Sequence, residues 1–287
     1  MQHIFDPRRG QRRIRVCLFV LLLCAGSSSV YVPSAHADAR SLKLELVDQL
    51  PSAPRILWVG TSTSREINPS MVRRLTGQRM FNGALSAARL YDAQYINKYI
   101  ATKFGSQPHL VIALDVDQLK PRRIVRWRRR ADGALPLATS EYTRYGFRKR
   151  NPLRSWEAAA HLPDSIRKYT ARYRQFKRLG GKPKAHLRWA LTRANAGGDT
   201  PTIVLMPIHP KLERKLRSAG RPKRRNDVKR YLRSLRNSGL QFRLLDLSNP
   251  RTIGAKARNF HDGVHPKAAT ANALLRYLDR RGLLAQP

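Results

Sequence analysis

After residue 54 the chain contains several short runs of apolar residues, and most of these runs end at a glycine, an aspartate or a proline. Continuous apolar runs of roughly four to eight residues are typical of strands that are buried on both faces. Between these runs, apolar residues recur at helical spacing, and Asn68-Pro69 is typical of a helix start. The predicted strands are 55–59, Met80-Phe81, 109–114, 202–206 and 242–247, and the predicted longer helices are 90–104, 226–237 and 266–281. This alternation predicts an α/β fold with a parallel sheet covered by helices on both faces.

The N-terminal segment has a different pattern. Five arginines between Arg8 and Arg15 precede an apolar run of about ten residues, Val16–Ala25, which is too short for a permanent membrane anchor. Ala35-His36-Ala37 then supplies small residues at the −3 and −1 positions of a cleavage site. The order predicts a cleavable secretory signal over residues 1–37, with a mature start near Asp38 and no transmembrane segment in the mature chain. The alternative is a short buried helix at the N-terminus.

Residues 38–287 are predicted to form one domain, interrupted by a basic insertion at about 120–185. From Lys120 to Lys184 the chain has 20 Lys and Arg residues against four acidic ones. This stretch is too long for an ordinary crossover connection, and we expect it to be partly helical after Asp164. Aromatic side chains are interleaved with the charges: Trp127, Tyr142, Tyr145, Trp156, Tyr169 and Tyr173. They suit a surface that binds a sugar or a polyanion, or a lid that packs its aromatic rings onto the sheet.

The net charge of +39 favours anionic binding partners but does not indicate a mechanism. About +35 remains on the predicted mature chain, which favours binding of an anionic cell-envelope polymer, although a general bias toward arginine explains the charge equally well. The export signal and the lack of a recognised motif disfavour nucleic acid as a partner. The only two cysteines, Cys17 and Cys24, lie in the predicted signal, so the mature chain has no disulfide. No metal-ligand cluster or phosphate-binding loop is present, and we expect no metal and no cofactor.

Three segments carry candidate chemistry, and each lies after a predicted strand or before the last helix. They are Gly60-Thr61-Ser62-Thr63-Ser64-Arg65, Phe81-Asn82-Gly83-Ala84 and Phe260-His261-Asp262-Gly263-Val264-His265-Pro266. The carboxyl edge of an open parallel sheet is where binding sites form. Each segment also has a structural interpretation: a Ser/Thr turn, an Asn-Gly turn, and an aspartate cap beside an incidental histidine.

The last of these segments is the most informative. An aspartate and a histidine three residues apart on one loop can hydrogen-bond each other, which fixes the imidazole tautomer and leaves its far nitrogen to accept a proton from a serine. A serine two residues after Gly60 can hold its hydroxyl exposed on a strand-to-helix turn. Spacing alone does not separate Ser62 from Ser64, although Ser62 fits the Gly-x-Ser order.

Gly-x-Ser after the first strand, Asn-Gly after the second and Asp-x-x-His-Pro near the C-terminus together resemble the SGNH/GDSL hydrolase superfamily, in particular its divergent secreted or envelope-associated members. The resemblance covers residues 55–117 and 200–282. It implies a three-layer α/β/α, flavodoxin-like fold and a serine that attacks an ester carbonyl. By motif position the catalytic residues are Ser62, Asp262 and His265, and the oxyanion hole consists of the backbone N–H groups of Ser62 and Gly83.

One block departs from the family pattern. The family supplies an oxyanion-hole asparagine after the third strand, where this chain has Leu114-Asp115-Val116-Asp117. Asn82 is a candidate substitute donor. Arg65, next to the serine turn, is a candidate ligand for a substrate carboxylate or phosphate, or a cap of that turn. His209, between two prolines, is a candidate substrate contact or a turn residue.

The expected function is therefore a secreted serine esterase or O-acyltransferase that acts on acyl esters of a cell-envelope or extracellular glycan. The missing asparagine and the high charge favour an alternative, a non-catalytic protein on the same fold that binds an anionic envelope polymer.

Overall fold

The computed structural model describes residues 35–121, 141–149, 152–155 and 157–284. Nearly all of the predicted secretory signal, together with Trp127 and Trp156 of the basic segment, lies outside the described residues. Apart from Ala35, the described residues belong to a single unit, His36–Pro287. In the described ranges, no helix is both long enough and apolar enough to cross a membrane.

The described elements alternate between helices and short strands. In chain order they are α1 (Ala35–Asp48), β1 (Ile56–Val59), α2 (Pro69–Thr76), β2 (Met80–Asn82), α3 (Leu90–Phe104), β3 (His109–Leu114), α4 (Ala158–Arg174), α5 (Gly181–Ala196), β4 (Thr202–Leu205), α6 (Pro210–Leu216), α7 (Arg221–Asn237), β5 (Arg243–Asp246) and α8 (Ala268–Asp279). The predicted strands and the helices α3 and α8 are thus found within a residue or two of their expected limits, and α2 begins at Pro69 as expected. Helix α7 begins five residues earlier than predicted, at Arg221 with Pro222 in its first turn.

The strands form a parallel sheet with the order β2-β1-β3-β4-β5. Strand β1 pairs with β2 on one side and with β3 on the other, with Leu57 opposite both Phe81 and Leu110. The strand order reverses beside β1, which is the position where open α/β sheets bind ligands. This topology confirms the predicted flavodoxin-like α/β class.

The two faces of the sheet pack against separate helical layers. Alternate residues of β1 enter opposite cores, since successive side chains of a strand point to opposite faces. Leu57 and Val59 pack with buried residues of α1, α3, α4, α5 and α7, whereas Ile56 and Trp58 pack with α2 and α8. The result is the three-layer α/β/α arrangement, and the apolar runs of the sequence are continuous because both faces are covered.

The basic segment contributes to the same core where it is described. In α4, Leu162 and Tyr173 are buried against the sheet domain, and α5, which starts within the segment and extends beyond it, buries Leu187 and Leu191 there. Tyr142, on the short stretch 141–149, is also buried in this core. The packing of Tyr142 and Tyr173 matches the interpretation of the aromatic residues as a lid on the sheet.

The side chain of Lys43, on α1, bridges residues 141–149 and the end of β2 by hydrogen bonds. Its side chain is buried, and its Nζ donates hydrogen bonds to the carbonyls of Asn82, at 2.6 Å, and Gly146. The ammonium group also lies 4.5 Å from the centre of the Tyr142 ring. Burial, and then the nearby Arg65 and Arg148, lower the pKa of Lys43 well below its ordinary value.

Candidate active site

The turn after β1 brings Ser62 to the carboxyl edge of the sheet. Residues Ser62–Ser64 form a short 3₁₀ helix capped by Thr61, whose hydroxyl accepts a hydrogen bond from the Thr63 N–H at 3.2 Å. Gly60 permits this turn because a Cβ at that position would lie only 2.8 Å from the Cβ of Ala113 on β3. The glycine therefore lets the serine turn approach the neighbouring strand closely.

Ser62, His265 and Asp262 form a continuous hydrogen-bonded chain. The Ser62 Oγ lies 2.8 Å from His265 Nε2, and His265 Nδ1 lies 2.8 Å from an Asp262 carboxylate oxygen. With the Nδ1 proton donated to Asp262, the Nε2 lone pair faces the serine hydroxyl, which is the tautomer that a general base requires. The structure thus brings together the three residues that the sequence predicted as catalytic.

The loop before α8 fixes this geometry. The second Asp262 oxygen accepts hydrogen bonds from the backbone N–H groups of Val264, at 2.7 Å, and His265, at 2.8 Å. Burial raises the pKa of Asp262, but the hydrogen bond and charge of His265 and the two backbone donors outweigh it and hold that pKa below its ordinary value. Asp262 is therefore an anion that orients the imidazole.

The two candidate serines of the turn have different surroundings. The side chain of Ser64 is fully buried, and its hydroxyl donates to the Thr61 carbonyl at 3.1 Å. Ser62 is partly exposed and bonds to the imidazole. The hydroxyl of Ser62, and not that of Ser64, is available to a substrate.

A cavity of about 160 Å³ opens beside the serine and the histidine. Ser62, His265 and the end of β3 form part of its lining, and α4 supplies another part through Lys168, Tyr169, Arg172 and Tyr173. A cavity of this volume holds a group about as large as one benzene ring. No group of three or more metal-ligating side chains occurs in the described part of the chain.

Asp115 lies in the cavity wall at the position where the family has asparagine. It accepts hydrogen bonds from the hydroxyls of the two residues that flank Ser62, at 2.5 Å from Thr61 and 3.2 Å from Thr63. Burial and then the charge of Asp117 raise the pKa of Asp115 to about 6, against the lowering effect of the two threonine hydrogen bonds. An ionised Asp115 has no proton to donate to an oxyanion.

The predicted oxyanion roles of Gly83 and Asn82 require correction. The N–H of Gly83 donates to the Trp58 carbonyl at 2.7 Å, because residue 83 continues the pairing of β2 with β1. The buried amide of Asn82 donates to the Ile67 carbonyl at 2.7 Å, and its oxygen accepts from Ala84 N–H at 2.9 Å. Both groups are therefore occupied in holding the backbone together.

Arg65 and His209 are also placed differently from their predicted substrate contacts. Neither residue belongs to the lining of the cavity. Arg65 continues the serine turn, its backbone N–H bonding the Ser62 carbonyl, and burial together with the charge of Arg148 lowers its pKa. His209 caps α6, because its Nδ1 accepts from the Lys211 N–H at 3.1 Å and its ring packs against Phe260. Of the two interpretations from the sequence, a turn residue is the one that fits His209.

Two further parts of the site were missed by the sequence analysis. Ala87 lines the cavity with a φ of 52°, and it is the one non-glycine residue of the described ranges with a positive φ. Strained backbone of this kind clusters at functional sites. The cavity wall from α4 was missed because residues of that helix fall outside the segments that resemble the family. The alternation of charges and tyrosines was a signal, but it did not indicate which tyrosines face the serine.

No protein-family model matches the sequence, and no curated protein matches it significantly. Solved structures do match. A protein from Streptococcus pneumonia, provisionally described as a platelet activating factor, superimposes with a TM-score of 0.50 at 11% identity, covering 94% of this chain and 98% of the other. A catalytic mutant of an acetylxylan esterase from Geobacillus stearothermophilus gives a TM-score of 0.40 at 13% identity, over 83% and 99% of the two chains.

These identities are low, so the likeness concerns the fold alone. The first match spans nearly the whole of both chains, and the strand order and the three layers are those expected from the sequence resemblance. The chain therefore shares the three-layer α/β/α fold of the first of these proteins.

Proposed function

We propose that this chain is a serine ester hydrolase or O-acyltransferase of the SGNH type. The observation that carries the proposal is the hydrogen-bonded chain from Ser62 through His265 to Asp262, with both links at 2.8 Å. A serine, a base and an orienting carboxylate in this geometry are the parts that nucleophilic acyl transfer requires.

In the proposed reaction the Ser62 Oγ attacks the ester carbonyl while His265 Nε2 removes its proton. The imidazolium that forms is stabilised by Asp262 and then gives the proton to the leaving alcohol. Water, or a second hydroxyl compound in the case of transfer, attacks the acyl-serine with His265 as the base again. The atoms balance in both halves, because each proton that the histidine takes up is returned.

The tetrahedral intermediate needs hydrogen-bond donors for its oxygen. The Ser62 N–H opens a 3₁₀ turn, and the first N–H groups of a helical turn have no partner within the turn. Ala87, whose left-handed backbone lines the cavity, is our candidate for the second backbone donor in place of Gly83. Protonated Asp115 is the candidate for the side-chain donor.

For the substrate, we propose an acyl ester of a carbohydrate in the cell envelope or outside the cell. The cavity of about 160 Å³ favours a short acyl group. Tyr169, half-buried in its wall, provides an aromatic ring against which a sugar ring can pack. The export of the protein rests on the pattern of residues 1–37 in the sequence.

The alternative function is non-catalytic binding of an anionic envelope polymer on the same fold. Two observations favour it: the net charge of +39, and Asp115 in place of an asparagine donor. Its signature would be binding that weakens steeply with salt and does not depend on Ser62.

The test is hydrolysis of para-nitrophenyl acetate and of acetylated sugars by the purified protein. Ser62→Ala and His265→Ala should each reduce kcat by about a thousandfold or more. Ser64→Ala is the matched control, because it removes a hydroxyl from the same turn without touching the imidazole, and it should retain activity. Equal background turnover by all four proteins, with and without a sugar acceptor, would refute the enzymatic proposal.

A further inference from the structure

One face of α4 forms a wall of the cavity that is rich in hydrogen-bond donors. Lys168, Tyr169, Arg172 and Tyr173 are spaced so that they share one side of the helix, and all four line the cavity with Ser62 and His265. Arg221 of α7 joins them in the lining. None of these side chains is required by the proposed acyl-transfer steps.

Arg172 is fixed in position and still has unused N–H donors. It bonds Asp117 through a single nitrogen, at 2.7 Å, and its guanidinium lies 4.6 Å from the centre of the Tyr169 ring. Burial lowers the pKa of Arg172, but Asp117 and Tyr169 raise it more, so the group stays charged. Because guanidinium carries five N–H donors, one bond to Asp117 leaves the others for a ligand.

The tyrosines on this wall are donors as well. Burial, and for Tyr169 the charge of Asp117, raise the pKa of both phenols, so Tyr169 and Tyr173 stay protonated at neutral pH. The charge of Arg221 acts on the Tyr173 phenol, and Arg221 is itself paired with Glu213 of α6. The pairing fixes the position of Arg221 at the bottom of the wall, where it is almost fully buried.

The acidic groups around the wall are already engaged. Asp117 is bonded to Arg172, Glu213 to Arg221, and Asp115 to the two threonine hydroxyls. Lys168 is exposed at the edge of the cavity, and no ion pair of Lys168 is found in the described ranges. Among the three cations of the wall, Lys168 is therefore the one without a carboxylate partner in the described ranges, and Arg172 keeps unused donors, so a ligand rich in acceptors would complete the wall.

We infer that the donor wall of α4 recognises an anionic group, a carboxylate or a phosphate, that the ester substrate carries close to its scissile bond. The inference rests on the proposed ester-cleaving function and adds the class of substrate. Lys168 contributes the charge, and Arg172 contributes paired N–H groups that match two oxygens of such an anion. The acylated compound is then an ester of an acidic sugar or of a phosphorylated alcohol, and the reaction removes or transfers the acyl group while the anion stays bound to α4.

Matched esters test this inference. The first pair is para-acetoxybenzoate and its neutral methyl ester, and the third compound is para-acetoxyphenyl phosphate, which separates a carboxylate preference from a phosphate preference. We expect kcat/KM for at least one anion to exceed that of the methyl ester by about tenfold, because a hydrogen-bonded charge contributes on that order. Loss of the acetyl group releases a more acidic phenol from the methyl ester than from para-acetoxybenzoate. The intrinsic reactivity of the neutral compound therefore works against the expected preference.

Variants separate recognition from catalysis. Lys168→Met should abolish most of the preference, whereas turnover of the neutral ester should remain within about twofold; Lys168→Arg should restore the preference. Lys98→Met, which removes an equal charge from an exposed position on α3, should change nothing. If Ser62-dependent turnover shows no preference for either anion, or if the preference survives Lys168→Met, this inference is wrong and the proposed function stands. If no ester gives Ser62-dependent turnover, both are wrong.

Discussion

The substitution Asp115→Asn replaces one carboxylate oxygen in the cavity wall by an amide nitrogen. It tests whether the carboxyl group limits the catalytic rate. The two threonine hydroxyls that flank Ser62 hold this carboxyl group. Oδ2 accepts from Thr61 at 2.5 Å and from Thr63 at 3.3 Å, whereas Oδ1 accepts only from Thr63, at 3.2 Å, and is the less engaged oxygen. Protonated, Asp115 can donate to an oxyanion as an asparagine amide does. Ionised, it has no proton to donate, and its charge opposes the charge that develops in the transition state.

The pKa of about 6 sets the size of the effect. About half of the protein has Asp115 protonated at pH 6 and about 1% at pH 8, since each pH unit above the pKa changes the ratio tenfold. One oxyanion donor contributes roughly 100- to 1000-fold to kcat. We therefore expect the ratio of kcat for Asp115→Asn to kcat for the wild type to rise from about one at pH 5 to about 100 at pH 8.

The assay is the pH profile of kcat for acetyl ester hydrolysis by both proteins. Both contain His265, so dividing one profile by the other removes the contribution of the imidazole and leaves that of Asp115. A ratio that does not change with pH would refute the reasoning. So would an asparagine variant that is less active than the wild type at every pH, because the amide would then not be acting as a donor.

Thermal unfolding gives a second, independent readout of the same group. The folded pKa of Asp115, about 6, lies above its ordinary value of 3.8, so folding favours the protonated form. Stability that is fully present below pH 3.8 is lost as the pH rises to 6, by at most about 3 kcal/mol. Asp115→Asn should remove this loss, and the difference in the free energy of unfolding between the two proteins should grow over that pH window. A constant difference would show that the folded pKa is not raised.

Three further predictions concern other residues. Asp262→Asn should lower kcat by about 10³- to 10⁴-fold, because the wrong His265 tautomer then faces the serine, and circular dichroism should show an unchanged fold. Ala87→Gly should raise the free energy of unfolding by about 0.5–1 kcal/mol in urea titrations, since glycine adopts a φ of 52° without strain; an equal loss would mean that the alanine methyl group is needed. Lys43→Met should lower the free energy of unfolding by about 2–4 kcal/mol, because two buried carbonyls lose their donor. The control Lys98→Met should leave the free energy of unfolding unchanged within about 0.5 kcal/mol.

The sheet was predictable because its strands are buried on both faces, which forces continuous apolar runs. The pattern from His109 to Leu114 coincides with β3 for this reason. The start of α7 was not predictable from apolar spacing, since its first turn, from Arg221, is almost entirely polar and is recognisable only by Pro222 after Gly220. Helices with few apolar residues are held by tertiary contacts that no local pattern records.

At the site, residue types and order predicted which side chains would meet, but not which backbone groups would stay free. Ser62, Asp262 and His265 are brought together by the ends of elements that the sequence places correctly. Whether the Gly83 N–H is free depends on how far the pairing of β2 with β1 extends, and the structure extends it to residue 83. Ala87 gave no signal, because an alanine in a left-handed conformation is held there by its surroundings.

The Ser62–His265 hydrogen bond joins residues that are 203 positions apart along the chain. Bringing together residues this far apart along the chain costs loop-closure entropy before the contact contributes any stability. During synthesis Ser62 emerges about 200 residues before Asp262 and His265. An ester-cleaving activity that depends on this hydrogen bond therefore requires folding through residue 265, and a product truncated before residue 262 would retain Ser62 without Asp262 and His265.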